Sequence, residues 1–387
     1  MRILLVHPHE VFSKFEPWTI RIISFGKEFV KKGHEVKIAY FPLEWDRALK
    51  NFTKYGIEFI PLKRRAGIFN IAENCFKLGK LAKWSDIVHF QKCFHYASLP
   101  ALVAGFLSNK PIHYDWDDWE EMIYYESARF PVKGIGLFLR TLERTLPGMA
   151  NTVSVSSKRL RDLCVSFGIS QEKIFHVPVG ADLHIFSPRI SGEKVKKTHN
   201  IKHPLVLYVG QLHGGQYVKL FIEAAGIVLK KGIKANFMVV GDGVRIAELK
   251  QRVKDLGLTG EIIFTGAVEA ACVPEYMASC DIAVACFEDN DVTRCKSPLK
   301  IAEYLASGKP IIASKVGEVE RMIGDAGILV EPGRSYPLAD KIVFLLSNKS
   351  LQEEMGRKAR EKAEKTYNWE ASAETLLHAY NVTLNKN

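Results

Sequence analysis

Short apolar runs alternate along the chain with longer segments whose apolar residues recur at helical spacing. The first example runs from the apolar residues 3–6 through the helical segment 20–32 to the apolar residues 36–40. This order predicts a βαβ unit, and Gly33 can end its helix in the left-handed conformation. The alternation continues to residue 178 and restarts at residue 205. It predicts two α/β domains, each with a mostly parallel sheet of about five or six strands.

The remaining elements are predicted from the same periodicity. The other predicted strands are 86–90, 111–114, 152–156, 174–178, 205–209, 235–240, 262–264, 282–285 and 311–314. The other predicted helices are 98–107, 158–167, 219–230, 246–256, 275–279, 299–306, 336–346, 351–366 and 370–384. Residues 187–203, with prolines, Gly192 and a lysine-rich run, are predicted to be a solvated linker. The predicted domains are therefore 1–186 and 204–368, and ligands are expected in the cleft between them, outside the carboxyl ends of the strands.

Three glycine-bearing turns follow strands of the second domain. They comprise residues 209–215, 240–243 and 264–266. Glycine lets the backbone approach a ligand, and the amino end of a following helix favours an anion. An ordinary strand-to-helix turn explains any single one of them equally well. Three turns along one edge of a sheet favour a phosphate-binding site.

The segment 294–314 carries the strongest chemical signal. Ser297 can cap a helix whose first residue is Pro298, and Lys300 and Glu303 then lie on one face near its start. With Arg294 and Lys296 nearby, this helix end is suited to a diphosphate, and the Glu303 carboxylate can accept hydrogen bonds from a ribose diol. The alternative is a surface helix with a Lys–Glu pair.

These motifs, taken in order, resemble family 4 glycosyltransferases of GT-B fold over nearly the whole chain. The matching pieces are residues 33–36, Ser156 with Leu160, 177–182 with Phe186, 239–243, 264–266, 278–281, 303–310 and 367–370. The resemblance implies two Rossmann-like domains facing across a cleft, with a C-terminal helix, 369–387, that crosses back to the first domain. It also implies a retaining enzyme with a nucleotide-sugar donor and no metal or other cofactor.

Site residues follow from the resemblance and from the clusters above. Catalytic roles are expected for Glu303, Lys300 and Asp117. Donor binding is expected for Gly210, Gln211, Gly241, Gly243, Val268, Arg294, Lys296, Ser297, Pro298 and Leu299. Retention is expected to proceed on one face of the sugar, with the leaving phosphate taking the acceptor's proton.

Several positions depart from the family pattern. Cys295 occupies the place of the usual first glutamate, for which Glu288, Asp289 or Asp291 could substitute. Gln211 and Gln216 replace a phosphate-binding Arg and Lys, and Val179 replaces an Asn before Gly180. These departures leave open an unusual donor such as a lipid-phosphate sugar, or a partner protein without activity. A nucleotide-sugar 2-epimerase of the same fold is a further alternative.

A second cluster, residues 115–121, follows a strand of the first domain. Asp115, Trp116 and Asp118 are expected to bind the acceptor, the indole by stacking on a sugar and the carboxylates through its hydroxyls. A solvated loop is the alternative. The Asp-x-Asp sequence is also typical of the metal site of GT-A enzymes, but it lies far from the donor motifs. His89 and His113 are interpreted as hydrogen-bonded residues of strands.

Composition narrows the partners. The net charge of +11 suits anionic partners, no nucleic-acid motif occurs, and the seven cysteines contain no C-x-x-C pair. No apolar run has the roughly 20 residues needed to span a bilayer, and no signal peptide is evident, so a cytoplasmic protein is expected. Two apolar and basic stretches, 62–83 and 129–144, could lie on an anionic membrane surface next to a glycan or lipid-linked acceptor. Packing of the apolar stripe of 62–83 on the sheet is the alternative.

Overall fold

The computed structural model describes residues 1–12, 19–44, 49–64, 67–128, 130–212 and 218–384. The chain divides into two compact units. The first comprises residues 1–178 together with the segment that begins at Trp369, and the second comprises Val179–Asn368. Gln216, Arg129, Arg65 and residues 213–215 of the first glycine turn lie outside the described residues, so the expectations that concern them stay predictions.

Two sheets, one in each unit, form the framework of the described residues. The strands are β1 (Arg2–His7), β2 (Glu35–Tyr40), β3 (Phe52–Lys54), β4 (Ile57–Pro61), β5 (Ile87–Gln91), β6 (Ile112–Trp116), β7 (Thr152–Val155), β8 (Ile174–His176), β9 (Leu205–Val209), β10 (Asn236–Val240), β11 (Ile262–Gly266), β12 (Ile282–Ala285), β13 (Ile311–Ser314) and β14 (Gly327–Val330). Within the described ranges the strand order is β3-β4-β2-β1-β5-β6-β7-β8 in the first sheet and β11-β10-β9-β12-β13-β14 in the second.

Helices connect the parallel strands, as parallel pairing requires. The helices are α1 (Ile20–Lys31), α2 (Ile68–Trp84), α3 (His95–Leu107), α4 (Glu120–Ser127), α5 (Lys133–Met149), α6 (Lys158–Ser166), α7 (Glu193–Thr198), α8 (Val218–Lys230), α9 (Ile246–Asp255), α10 (Val273–Ser279), α11 (Asp291–Cys295), α12 (Leu299–Ala306), α13 (Val319–Ile323), α14 (Ser335–Leu346), α15 (Lys349–Lys365) and α16 (Trp369–Leu384). The predicted pair of parallel α/β sheets is confirmed. Among these described helices, none is both long and apolar enough to cross a bilayer.

The central strands of each sheet are buried on both faces, between layers of helices. In β9 the side chains of Leu205, Leu207 and Val209 pack in one core with Ile301 of α12. Val206 and Tyr208 point to the opposite core, which contains Phe221 of α8. This alternation explains the continuous apolar run LVLYV, because a polar residue on either side would lose its water without gaining a partner.

The first sheet has more strands than predicted, because β3 and β4 form a hairpin at its edge. They pair antiparallel, and the two turn residues, Tyr55 and Gly56, both have positive φ (57° and 74°). Two consecutive left-handed residues match the twist of a tight hairpin, usually as Asn-Gly or Asp-Gly. Tyrosine in the first position removes that sequence signal.

The predicted linker 187–203 is wrong, and so is the domain boundary at residue 186. Residues 179–203 belong to the second unit, where Val195 of α7 is buried in the same core as Met277 and Cys280. A Cβ on Gly192 would lie 2.2 Å from the Ser279 Cα, so the chain there is packed against α10 rather than solvated. The polar composition hid a segment that packs on this core through two apolar side chains, Val195 and Ile201.

The last helix, α16, returns to the first unit, as the resemblance implied. Its Tyr380 hydroxyl lies 2.6 Å from His89 Nδ1 of β5. Its Thr383 hydroxyl lies 2.8 Å from that of Thr152 of β7. His113 of β6 is hydrogen-bonded to Thr152 and Ser154, and burial lowers the pKa of His89 to about 4. Both histidines are therefore neutral members of a buried polar network that fixes α16 to the sheet.

Candidate functional site

The glycine turns of the second unit meet one another at the carboxyl ends of β9 and β10. Gly210 N donates to Val240 O (2.9 Å), and Gly241 N donates to Gly266 O (3.0 Å). A Cβ on Gly241 would lie 1.9 Å from Gly210 O, and one on Gly243 would lie 2.6 Å from Leu212 O. Gly210 and Gly241 also have φ values of 147° and 142°, which side chains rarely adopt. Glycine is therefore required for these turns to pack, whatever they bind.

Lys300, in the first turn of α12, is drawn into this edge of the sheet. It is only 8% exposed, and its Nζ donates to the Tyr208 hydroxyl (2.9 Å) while lying 4.1 Å from the centre of that ring. A Cβ on Gly210 would lie 2.6 Å from Nζ, so the first glycine turn leaves room for the ammonium. Burial lowers the pKa of Lys300 to about 7. The alternative of an exposed Lys–Glu pair is thereby excluded.

Glu303 lies three residues further along α12 and is half-buried. Burial raises the pKa of its carboxyl to about 8, although the nearby Lys300 acts in the opposite direction. Burial therefore disfavours the charged form of both side chains. An anion beside Lys300 would favour its positive charge, and hydroxyl donors beside Glu303 would favour the carboxylate.

The amino end of α12 differs from the prediction. The helix begins at Leu299, and the preceding cap residue is Pro298, with φ −71° and ψ 115°. Ser297 does not cap it: its hydroxyl accepts from Val179 N (3.4 Å) and lies 3.8 Å from Met322 Sδ. The bounds of the helix are as predicted, but Pro298 is its cap residue rather than its first residue, and Ser297 tethers the segment that enters the second unit.

Arg294 and Asp289 are paired with each other. Arg294 Nε and Nη2 donate to the two carboxylate oxygens at 2.6 and 2.9 Å, and both side chains are exposed. Asp289 thus offsets the charge of Arg294, although Nη1 takes no part in these two hydrogen bonds. Lys296 and Gln211 are half-buried, and Val268 packs against the core.

Cys295, at the position of the family's first glutamate, is fully buried in the second unit. Of the possible substitutes, Asp289 is held by Arg294, Glu288 is exposed, and Asp291 is the first residue of α11. Their placement assigns none of them to the role of that glutamate.

In the first unit, residues 115–118 span the carboxyl end of β6. Their side chains divide into two groups. Asp115 is buried and accepts from Arg21 Nε and Nη2, both at 2.8 Å, and from the Ser154 hydroxyl. Burial opposes its charge, but Arg21 outweighs that effect and holds the pKa of Asp115 well below its usual value. Trp116 is 0% exposed, and its indole N–H donates to Glu143 (3.1 Å).

Two of the expected acceptor contacts are therefore wrong for this conformation. Neither the Asp115 carboxylate nor the Trp116 indole can reach a sugar, because both are enclosed in the first unit. The alternative of a solvated loop also fails for this pair. Polar and aromatic residues at a strand end look the same in sequence whether they point inward or outward.

Asp117 and Asp118 lie beyond the strand and converge on Lys92, which sequence reasoning missed. Lys92 follows β5 with φ 63°, its side chain is 4% exposed, and its Nζ lies 3.4, 3.0 and 2.6 Å from Asp117, Asp118 and Glu120. Burial opposes its charge, but the three carboxylates raise its pKa well above the ordinary value. The ammonium takes the place that a cation would hold among these carboxylates.

Gln91 connects this cluster to the end of β1. Its Nε2 donates to Asp117 Oδ2 (2.7 Å), and its Oε1 lies 2.7 Å from His7 Nδ1. Burial raises the pKa of Asp117 to about 7, although Lys92 opposes that shift. His7, Gln91 and Asp117 each stand at or directly after the end of a neighbouring parallel strand, which was the available sequence signal.

The chain is similar in sequence to a known protein family and to curated proteins. The family model described as glycosyl transferases group 1 matches residues 203–348. A D-inositol 3-phosphate glycosyltransferase of Paenarthrobacter aurescens is 26% identical over 62% of this chain and 59% of that relative. An alpha-monoglucosyldiacylglycerol synthase of Streptococcus pneumoniae is 24% identical over 79% of this chain and 69% of that relative. The chain spans only 45% and 59% of the length of the first two curated relatives it matches.

Solved structures match over almost the whole chain. The crystal structure of HepE from Anabaena in complex with UDP and glucose has a TM-score of 0.75 at 17% sequence identity, and the match covers 98% of this chain and 99% of that chain. A sucrose-phosphate synthase from Thermosynechococcus elongatus has a TM-score of 0.72, also at 17% identity. At this level of identity the likeness concerns the fold.

Proposed function

The chain belongs, through residues 203–348, to the group 1 glycosyl transferases and has the GT-B fold, and from this premise we propose that it is a retaining glycosyltransferase. It would move a sugar from a nucleotide-sugar donor to a glycan or lipid-linked acceptor in the synthesis of a cell-envelope polysaccharide or glycoconjugate. The single observation that carries the proposal is the pair Lys300 and Glu303, whose charged forms burial disfavours at the carboxyl edge of the second sheet.

The donor is proposed to bind at this edge. Lys300 would contact the diphosphate, and the backbone N–H groups of the glycine turns would add dipoles of the same sign. Glu303 would accept hydrogen bonds from the ribose hydroxyls. UDP-sugars are the first donors to test, since HepE, which shares the fold, was crystallised with UDP and glucose.

The acceptor is proposed to bind at the carboxyl edge of the first sheet. Asp117 would be the residue that meets the acceptor hydroxyl: its carboxyl stands just beyond the end of β6, and in its ionised form it would accept a hydrogen bond from that hydroxyl and orient it. Gln91 fixes the orientation of that carboxyl through its 2.7 Å hydrogen bond. Asp118, held by Lys92, is the second candidate contact.

The chemical step is proposed to take place on one face of the donor sugar. As the bond between the anomeric carbon and the phosphate oxygen breaks, the acceptor oxygen forms its new bond, and the acceptor proton passes to the leaving phosphate. Lys300 would stabilise the charge that develops on that phosphate. We propose that Lys300 fills this role without a metal and that the enzyme needs no further cofactor; in the first unit, the ammonium of Lys92 lies among the carboxylates. A cytoplasmic location, with contact to a membrane surface, is part of the same proposal.

A coupled assay tests the proposal directly. The purified protein is first screened against nucleotides and nucleotide sugars by thermal shift, because a ligand that binds only the folded state raises the melting temperature. The stabilising donor is then incubated with glycan and glycolipid acceptors, and release of the nucleoside diphosphate is measured. We expect stabilisation by one nucleotide class and acceptor-dependent release. If no nucleotide or nucleotide sugar shifts the melting temperature, the proposal is wrong.

A binding protein without transferase activity is the second candidate, and two observations favour it. Cys295 is buried at the position where the family resemblance implies a glutamate, and Arg294 is paired with Asp289. This candidate predicts donor binding without turnover over the same acceptors. The third candidate, a 2-epimerase, predicts an epimerised sugar when the donor is incubated without any acceptor.

A further inference from the structure

The amino-terminal half of α5 and the residues just before it expose a group of apolar side chains to solvent. Phe130 and Val132 precede the helix, and Ile135, Leu137 and Phe138 lie in its first two turns. Their exposed fractions are 80, 56, 48, 59 and 45%, respectively. Only Gly136 in this part of the helix is buried, where the Tyr125 ring packs against it. So dense a group of apolar residues on a surface marks a site of contact with another body.

Helix α2 presents a second set of exposed apolar residues. The apolar stripe of residues 62–83 is divided: Leu78 and Ala82 are fully buried, Ile71 and Cys75 are half-buried, and Ile68 is 77% exposed. The outward face carries Phe69 and Phe76, which are 88 and 66% exposed, followed by Lys80 over the Phe76 ring at 4.3 Å. Only the carboxyl-terminal part of the stripe is buried, and Phe69 and Phe76 are exposed beside it.

The amino ends of α2 and α5 flank the start of α3. Asn74 of α2 donates to Tyr96 O (3.4 Å), and the Phe138 ring of α5 lies 5.5 Å from that of His95, with a T-shaped geometry. Both helices thus contact the first turn of α3 within the first unit, and the exposed sets lie on these two helices. We name this surface the apolar rim and define it by Phe69, Phe76, Val132, Ile135, Leu137 and Phe138.

The charge around the apolar rim is one-sided. Residues 67–84, 95–110 and 130–142 contain six lysines and arginines but a single acid, Glu73. Glu73 is itself paired with Lys63 and Lys77. Lys80, Lys83 and Lys133 are exposed around the apolar side chains. Basic residues around exposed aromatic and aliphatic side chains match an anionic lipid interface, where the apolar groups enter the acyl boundary and the ammonium groups meet phosphates.

We propose that the apolar rim binds the surface of an anionic phospholipid bilayer. The chain would lie on the interface through α5 and α2, while the first sheet stays outside the lipid. The inference deepens the proposed function and rests on it only for its purpose, which is to bring a lipid-linked acceptor to the first unit. The binding itself does not depend on donor or turnover.

Vesicle flotation tests the proposal on the full chain. The probes are vesicles of equimolar phosphatidylcholine and phosphatidylglycerol, and vesicles of phosphatidylcholine alone, at low and at high salt. The test variant is Phe69→Gln with Leu137→Gln, since glutamine keeps helix propensity while removing apolar surface. We expect the wild type to float with the anionic vesicles at low salt and much less at high salt. The double variant should bind about 100-fold more weakly, since each lost side chain removes roughly a factor of ten in partition.

The matched control is Tyr336→Gln with Phe344→Gln, two exposed aromatic residues on α14 of the second unit. Its vesicle binding should equal that of the wild type. Thermal shift by the donor nucleotide should be the same in all three proteins, so a failure of vesicle binding is distinguishable from a failure of the proposed function. Wild-type protein that does not float, or a rim variant that floats like the wild type, would refute the inference. So would a rim variant that changes the molecule from dimer to monomer in size-exclusion chromatography, because the rim would then cover a second copy.

Discussion

At the carboxyl edge of the first sheet, Lys92 is surrounded by Asp117, Asp118 and Glu120, and its pKa is raised well above the ordinary value. At the same edge of the second sheet, the equally buried Lys300 contacts the phenol of Tyr208, and its pKa is lowered to about 7. The two lysines differ in the balance between burial and compensating charge. Protein carboxylates outweigh burial at the first, whereas burial prevails at the second. The difference indicates that protein carboxylates already compensate the lysine charge at the first edge. At the second edge, an anionic ligand is suited to supply that compensation.

Removing one charge of the buried Arg21–Asp115 pair in the first unit should have the largest effect, and the effect is on stability. Arg21→Met leaves the Asp115 carboxylate buried without its bidentate partner. We expect the free energy of unfolding of the first unit to fall by about 3–5 kcal/mol. Urea denaturation followed by fluorescence measures it. The control Arg2→Met breaks the exposed pair with Asp86 and should cost no more than about 1 kcal/mol. Equal losses in both variants would show that the buried Arg21–Asp115 pair contributes no more to stability than the exposed Arg2–Asp86 pair.

Removing the charge of Lys300, at the edge of the second sheet, should affect donor binding but not folding. Lys300→Met keeps the buried stem and deletes an ammonium that burial disfavours. We expect donor affinity to fall by about 10- to 150-fold, the value of a charge-assisted contact of roughly 1.5–3 kcal/mol. The melting temperature should stay the same or rise. Calorimetry with the nucleotide measures affinity, and Lys231→Met, which removes an exposed lysine of the second unit paired with Asp340, is the control. A variant that melts lower yet binds normally would reverse the contrast with Lys92.

Glu303→Ala should weaken donor binding next most strongly. It removes the carboxylate proposed to hold the ribose, so we expect a loss of roughly tenfold or more in affinity with an unchanged fold. Titration with the nucleoside diphosphate and with inorganic diphosphate separates the two contacts. Only the ligand that carries a ribose should lose affinity. An equal loss for inorganic diphosphate would assign Glu303 to the phosphates instead.

The pH dependence of binding sharpens the same comparison. The pKa of ligand-free Lys300 is about 7, and a bound anion raises it, so binding at pH 8 should take up a proton. Calorimetry in buffers of different ionisation enthalpy measures this uptake, and the difference between wild type and Lys300→Met isolates the Lys300 contribution. In the free protein, burial of the charged ammonium costs stability below pH 7. That cost declines as the pH rises from 7 toward the ordinary pKa.

The smallest effect is expected at the start of α12. Ser297→Ala should change the free energy of unfolding by less than about 0.5 kcal/mol, because Ser297 is not the cap residue. The control is Ser157→Ala, which removes a side chain that accepts from Leu160 N and caps α6. That change should cost about 1 kcal/mol. A loss at Ser297 as large as at Ser157 would restore the capping role predicted from sequence.

Sequence periodicity predicted the elements that are buried on one or both faces, and it failed where a few residues decide the outcome. Strand β12, strand β13 and helix α12 have the predicted bounds. Helix α7 was missed because Val195 is its only apolar residue, and the β3–β4 hairpin was missed because Tyr55 takes the left-handed position. The two sheets followed from periodicity, and the returning α16 followed from the resemblance.

The candidate site was predictable in position but not in side-chain direction. Parallel topology brings polar residues at strand ends to one edge, which located Asp117 and the glycine turns correctly on the carboxyl side. It could not show that Asp115 and Trp116 turn inward, because partners such as Arg21 and Glu143 come from distant parts of the chain. Lys92 was missed for the same reason.

The most direct measurement is a crystal structure of the protein with its donor nucleotide. We expect the diphosphate within hydrogen-bond distance of Lys300 Nζ and the ribose hydroxyls on Glu303, beside the turns at Gly210 and Gly241. A nucleotide bound elsewhere, with Lys300 making no contact to it, would contradict the assignment of this edge as the donor site.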